Sequence, residues 1–504
     1  MDDPESDPRI LEPRRPKPEA PGPGASYRSH MTKITIIGAG GFVFPFRLIG
    51  DLVSFPALQD ATLHLMDLDA GRVARTATAA RELVAHHGLG VEVLETTDRR
   101  EALAGADVVI ITFQVGGVES YKWDVEIPRK YGIDQAVGDT VGPGGVFRFL
   151  RSVRAYEDIA RDALELCPDA QFINYANPMA MATAFLNAKG LRTVGLCHSV
   201  QGTTRMLART LGVPYDEVEF VSAGINHQAW ILEFKRRNGE DLYPRLREVM
   251  TAKHQRGVAA SDLHDDDGDH SEAAAAASNY EGGNEQVRTQ LMRSFGYFET
   301  ESSHHASEYV PYFRKDPETV LEYIPERWDY YEICLAHDEQ GDVDTQLEKL
   351  KADLTPSVEY GASIVNAIVT GVPAVVYGNV PNSTGVIQNL PSDACVEVAC
   401  LVDGKGVQPT SFGELPPQLA AINRTNTNVQ TLAVRAALTG NVEHVHHAVA
   451  LDPLTAAHLT LDRIAEMTDE LLHAHAALLP ESLRPADAGA AAHTADREAR
   501  PALV

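Results

Sequence analysis

Positive charge is scarce in this chain. Lysine and arginine number 44 against 71 acidic residues, a formal net charge of −27. No basic block interrupts that excess, so a polyanion such as DNA is repelled and nucleic acid is excluded as a partner. Long apolar runs are missing too. Nothing approaches the roughly 18 residues needed to cross a bilayer, and the N-terminus has no apolar signal-peptide core. Cysteine is sparse: Cys167, Cys197, Cys334, Cys395 and Cys400 are odd in number and scattered. Such a set makes no disulfide framework and suits a reducing compartment. The expectation is a cytoplasmic protein that works away from membranes and nucleic acid.

What is present is enough apolar material, 44% of 504 residues, for a large core and two domains. Residues 1–31 are rich in Pro, Glu and Arg and read as a disordered extension, with Met31 directly before the first strand. The run 261–283 reads as a mobile acidic loop and 481–504 as a disordered tail. Between them, KITIIG (33–38), ATLHLM (61–66), VEVLE (91–95), DVVIIT (107–112), QFIN (171–174) and RTVGL (192–196) are short β-rich runs. Helical periodicity separates them, most clearly over 144–166. That alternation predicts a parallel α/β sheet of Rossmann type over 32–222. From Glu217 the pattern changes. EVEFVSAG and QAWILEF look like strands of another sheet, and long helices are expected at 356–370 and 453–476. The second domain, 223–480, is expected to be mixed α+β and catalytic.

The first strand ends in Gly38, Gly40 and Gly41, and the plausible helix PFRLIGDLVSF follows. Glycines at such a turn let backbone approach a pyrophosphate at a helix N-terminus. The second strand ends in Asp67, an acceptor for the diol of an adenine ribose, which favours NAD over NADP. Val43 stands where the third glycine of the fingerprint is usual, and Asp67 lies further on than the ordinary ~20 residues. An ordinary strand–helix turn would carry the same glycines without a cofactor.

Polar clusters then fall at the ends of strands, where open α/β sheets bind ligands. VGDTVGPGGVFRFLR brings Asp139 and Arg148, NYANPM brings Asn177, CHSV brings Cys197, and GINH brings His227. A buried cysteine and a core histidine are each common without function. Together, a thiolate and an imidazole with water and sugar hydroxyls are able to hold a divalent ion such as Mn²⁺ in an open, catalytic site.

These strings, in this order, resemble glycoside hydrolase family four. YFETESSHHASEYVPYF, YGNVPNSTGVIQNLP, VEVACLVD and INRTNTNVQTLAVRAALTG extend the resemblance over roughly residues 33–476. The resemblance implies a lactate/malate dehydrogenase-like NAD domain and a homo-oligomer, either a dimer or a tetramer. It also implies an NAD- and Mn²⁺-dependent glycosidase, one of the exceptions to two-carboxylate hydrolysis. CHSV resembles the α-galactosidase subgroup, while α-glucosides and α-uronides stay open; the subgroup's usual TESSEH reads TESSHH here, at His304. Such enzymes oxidise C3 of the sugar, remove the acidified C2 proton, expel the aglycone, add water and re-reduce. By residue matching, Cys197 and His227 hold the metal, and His198 is the acid for the leaving oxygen, as an imidazole of near-neutral pKa. Asn177 binds sugar hydroxyls and is a further candidate to touch the metal, Asp139 and Arg148 shape the substrate pocket or the nicotinamide end, and Tyr297 or Glu301 is the C2 base. On fold alone, an NAD-dependent hydroxy-acid or sugar dehydrogenase or a non-catalytic sensor also fits, and net NADH release without metal dependence would mark the dehydrogenase.

Overall fold

The computed structural model describes residues 31–41, 44–256, 285–325, 327, 329–336 and 339–486. The extension 1–30, Val43, the loop 261–283 and the tail 487–504 lie outside the described residues. The tail was expected to begin at 481. That is corrected: Glu481–Leu483 forms a turn, and Leu483 is buried beneath the helices of the same core cluster.

Twelve strands form one sheet: β1 Lys33–Ile37, β2 Thr62–Met66, β3 Glu92–Thr96, β4 Val108–Ile111, β5 Gln171–Asn174, β6 Arg192–Gly195, β7 Val218–Ile225, β8 Gln228–Arg236, β9 Phe298–Glu299, β10 Ala374–Pro381, β11 Cys395–Asp403 and β12 Gly406–Pro409. The order β3-β2-β1-β4-β5-β6 is parallel throughout, the order of a dinucleotide-binding fold. Both faces are covered. Ile34, Ile36, Val108 and Ile110 pack on one side with the helices Phe44–Ser54 and Ala70–His87. Ile37, Val109, Ile111 and Phe172 pack on the other with Gly142–Leu166 and Pro417–Thr439. This is the period-2 alternation of strands buried on two faces.

The expectation of another sheet for β7 and β8 is overturned. The sheet runs on past β6 as β10-β11-β7-β8-β9, all antiparallel. β10 and β11 come from far down the chain and insert between β6 and β7, through Asn379 opposite Gly195 and Glu397 opposite Gly224. The helix expected at 356–370 starts at Tyr360. The one expected at 453–476 is two, Pro453–His458 and Leu461–Ala474. Leu459 and Thr460 are extended between them (ψ 150° and 159°).

Candidate active site

The C-terminal ends of the parallel strands carry the first set of groups. At Gly38 φ is +90°, and a Cβ there would lie 2.7 Å from the Phe113 nitrogen, so only glycine fits this turn. The Gly40 N–H donates to Asp67 Oδ2 at 2.9 Å, and the Asp69 N–H donates to Oδ1 at 3.0 Å. Asp67 therefore clamps the glycine turn, and only its remaining lone pairs are left for a ligand. Asp69, which sequence reasoning passed over, caps the Ala70–His87 helix by accepting the Arg72 N–H.

After β6, the chain passes through Cys197 and His198 into the helix Ser199–Leu211. The β7–β8 hairpin turns at Asn226–His227, and Glu301 follows β9 with φ +74°, left-handed backbone that is rare outside glycine. These three arrivals converge. Ligand atoms of Cys197, His227 and Glu301 all lie within 4.8 Å of one another, and all three residues are buried. Thiolate, imidazole and carboxylate together suit a borderline divalent ion such as Mn²⁺, Fe²⁺ or Zn²⁺. Burial pushes the Cys197 thiol up to about 12, with His198 opposing and Glu301 and Glu397 adding to it. A cation held by the cluster would stabilise the thiolate. Burial also works against ionisation of Glu301, but His227, His305, His198 and Arg288 outweigh it and hold the carboxylate below its ordinary range.

His198 Nδ1 lies 3.5 Å from Glu359 Oε1. Burial favours the uncharged ring, but Glu359, Cys197 and Glu301 together push it up to about 10. The ring expected from sequence to be near-neutral is thus drawn towards its charged form, chiefly by the Glu359 carboxylate beside it.

The sugar-facing residues named from sequence also come together. Asp139 accepts from Thr140 Oγ1 at 2.6 Å and from Asn177 Nδ2 at 3.2 Å, and Arg148 Nη2 is 3.9 Å away. Burial opposes the charge of Asp139, yet Arg148, His305 and His227 hold it ionised, which ties this group to the metal-ligating cluster. Arg148 Nε and Nη1 and Asn177 Oδ1 are buried without a hydrogen-bond partner among the described residues. Such atoms are ready for ligand hydroxyls. Tyr297 does not join them. It is half-buried, edge-on to Tyr243 at 5.9 Å between ring centroids, in an apolar layer.

Sequence reasoning missed Glu397, His305 and Glu308. Glu397 lies in the middle of β11, accepts from Asn379 Nδ2 at 3.2 Å, and is pushed up to about 7 by burial, against the pull of His227. An acid flanked by the apolar residues of VEVACLV was the available signal. His305 Nε2 lies 3.1 Å from His227 Nδ1, and its Nδ1 lies 3.2 Å from Glu308 Oε2. Both stand in ESSHHASEY, where nothing in the letters says which way either side chain points.

The profile of family 4 glycosyl hydrolases matches residues 33–213, and that of the family's C-terminal domain matches residues 222–455. An alpha-galactosidase from Bacillus subtilis is 41% identical over 467 residues, spanning 90% of this chain and all of that one. A solved Bacillus subtilis protein named for an inferred glucosidase activity superposes with TM-score 0.74 at 27% identity, covering 88% of this chain and 99% of that one. A 6-phospho-alpha-glucosidase from gut microorganisms, solved in complex with NAD and Mn²⁺, superposes with TM-score 0.72 at 20% identity, covering 90% and 99%. Together, the two profiles span both halves of the sheet and every residue of the site, and the chain belongs to family 4 of the glycosyl hydrolases.

Proposed function

We propose that this protein is an α-galactosidase that uses NAD and a divalent metal such as Mn²⁺. The observation that carries the reading is the buried Cys197–His227–Glu301 cluster at the strand ends, on the same edge of the sheet as the Gly38–Gly41 turn. The name of the 41%-identical relative supports the galactoside, and the NAD and Mn²⁺ of the 6-phospho-alpha-glucosidase support the cofactors. NAD, when bound, supplies a reversible hydride acceptor for C3 of the sugar, and the metal supplies positive charge against the oxygens of the acidified sugar.

The remaining work falls to side chains. Gly38, Gly40 and Gly41 let the cofactor's pyrophosphate approach, and Asp67 holds that turn and faces the ribose. Cys197 and His227 are the metal ligands. Asn177, Asp139 and Arg148 orient the sugar hydroxyls. A carboxylate oxygen of Glu301, the one of the two candidates that lies beside Cys197 and His227, takes the proton from C2 and later returns it. The His198 imidazolium donates its proton to the departing glycosidic oxygen. Water then adds at C1, and no net oxidation results.

Residues 32–222 as the NAD-binding part and 223–480 as the catalytic part belong to the same proposal, although β7 crosses that boundary. So does work as a homo-oligomer in the cytoplasm. Five free cysteines, one of them needed as a thiolate, call for a reducing compartment. The exposed cross-strand pair Val375 and Leu401 offers a subunit contact. Among the described residues, no helix is long and apolar enough to cross a membrane. The unpartnered donors of Arg148 favour one second reading, an α-galacturonide whose carboxylate they would bind. A panel of p-nitrophenyl α-glycosides, assayed with NAD⁺, Mn²⁺ and a thiol reductant, decides. The α-galactoside should be hydrolysed fastest, with no NADH accumulating at 340 nm. Net NADH would instead mark a dehydrogenase, and preference for the uronide would move the substrate to the second reading.

A further inference from the structure

A chain of three buried side chains runs from the metal-ligating cluster to the loop that carries Asp139. His227 Nδ1 meets His305 Nε2 at 3.1 Å, and His305 Nδ1 meets Glu308 Oε2 at 3.2 Å. Glu308 Oε1 accepts the Ala136 N–H at 2.6 Å and the Val137 N–H at 2.7 Å, while Oε2 accepts the Gly138 N–H at 3.2 Å. His305 is 2% exposed and Glu308 not at all. With three backbone amides donating to it and Arg314 nearby, Glu308 is a charged acceptor.

That charge sets a direction. A carboxylate only accepts, so the proton between Glu308 and His305 sits on His305 Nδ1. In the neutral ring, His305 Nε2 is then a lone pair, and it accepts the proton on His227 Nδ1. His227 Nε2 is left bare for the cation. If His305 lost its acceptor nitrogen, only the longer contact to the Tyr309 hydroxyl at 3.4 Å would remain at Nδ1, and His227 could carry its proton on Nε2, the wrong tautomer for a ligand.

Resting on the reading that Cys197 and His227 bind the metal, we propose that His305 and Glu308 are positioning residues for it. They lock the ligating tautomer of His227, and through the amides of 136–138 they couple the metal site to the loop of Asp139.

The test is Mn²⁺ affinity, read by electron paramagnetic resonance of free Mn²⁺ titrated into NAD-loaded enzyme. His305→Phe removes the acceptor, and His305→Gln restores an acceptor oxygen. Expected is a 10- to 100-fold loss of Mn²⁺ affinity for His305→Phe, the usual range for such partners. Its NAD affinity should be unchanged, and its activity partly recovered by excess Mn²⁺. His305→Gln should remain within a few-fold of wild type. Cys197→Ser serves as the control for the metal site. Wild-type Mn²⁺ affinity in His305→Phe, beside its loss in Cys197→Ser, overturns the positioning role alone. Wild-type affinity in both overturns the metal site itself. Should His305→Phe fail to bind NAD, Glu308→Gln is read in the same titration. There, weakened Mn²⁺ binding supports the chain and wild-type binding refutes it.

Discussion

Burial opposes the charge of Asp139, Glu301, Glu308 and Asp452, and the neighbours of each decide whether that charge survives. Asp139, Glu301 and Glu308 each face histidines or an arginine and stay ionised. Asp452 has less help. It caps the Pro453–His458 helix, with Oδ2 accepting the Thr455 N–H at 2.8 Å. Burial outweighs that bond, and nearby Glu308 adds to it, so Asp452 is pushed up to about 6. Its unfolded value is near 3.9. The folded state therefore prefers the protonated acid. This preference adds stability at low pH, fades as pH rises from about 4, and is gone above about 6, where ionisation weighs fully against the fold. Asp452→Asn keeps an acceptor for Thr455 and cannot ionise. Thermal unfolding should show the variant more stable than wild type by on the order of 1–3 kcal/mol at pH 8, with the difference vanishing near pH 4. A variant less stable at pH 8 would show that the charged form is satisfied after all.

At the scale of elements, the helix Gly142–Leu166 begins with its first turn pressed against other backbone. A Cβ on Gly145 would lie 2.4 Å from the carbonyl carbon of Thr140 and 2.6 Å from its oxygen. Backbone yields less readily than a side-chain tip, so Gly145→Ala must shift the turn holding Asp139. Expected is a destabilisation of about 1–3 kcal/mol and a drop in kcat/KM of tenfold or more, with NAD affinity retained. Gly202→Ala is the contrast. It lies within the Ser199–Leu211 helix with open space around it, and should stabilise by about 0.5–1 kcal/mol through helix propensity. Equal effects of the two in unfolding and steady-state assays would refute the steric account. The same helix shows what the sequence made legible. Glycines needed for close approach, and strands rich in Ile and Val, announce themselves locally, so DTVGPGG and the six parallel strands were readable to within a residue or two. The insertion of β10 and β11 between β6 and β7 was not, because pairing across some 150–200 residues leaves no local trace. Tyr297 and Glu301 were equally plausible as bases for a similar reason. In the fold Glu301, on left-handed backbone, brings its carboxylate to Cys197 and His227, while Tyr297 stays in the apolar layer.

The whole molecule assembles its chemistry where the two halves of the sheet meet. Cys197 hangs from the end of the parallel half, and His227 and Glu301 hang from the antiparallel half, so neither half alone holds the cluster. An ordinary glycosidase works at C1 with two carboxylates and never touches the C2–H bond. In the proposed mechanism, oxidation at C3 makes that proton acidic enough for Glu301, whose carboxylate is held ionised by His227, His305, His198 and Arg288 against its burial. Hydrolysis of an α-galactoside in D₂O should therefore place deuterium at C2 of the released sugar, visible by NMR. Glu301→Gln should lose both exchange and turnover while still binding NAD and Mn²⁺, and Tyr297→Phe should keep both activities. Loss of Mn²⁺ binding in Glu301→Gln would make Glu301 a third ligand instead of the base. Loss of exchange in Tyr297→Phe alone would reverse the assignment. Active wild-type enzyme whose product carries only protium at C2 would refute proton removal by a side chain in exchange with solvent.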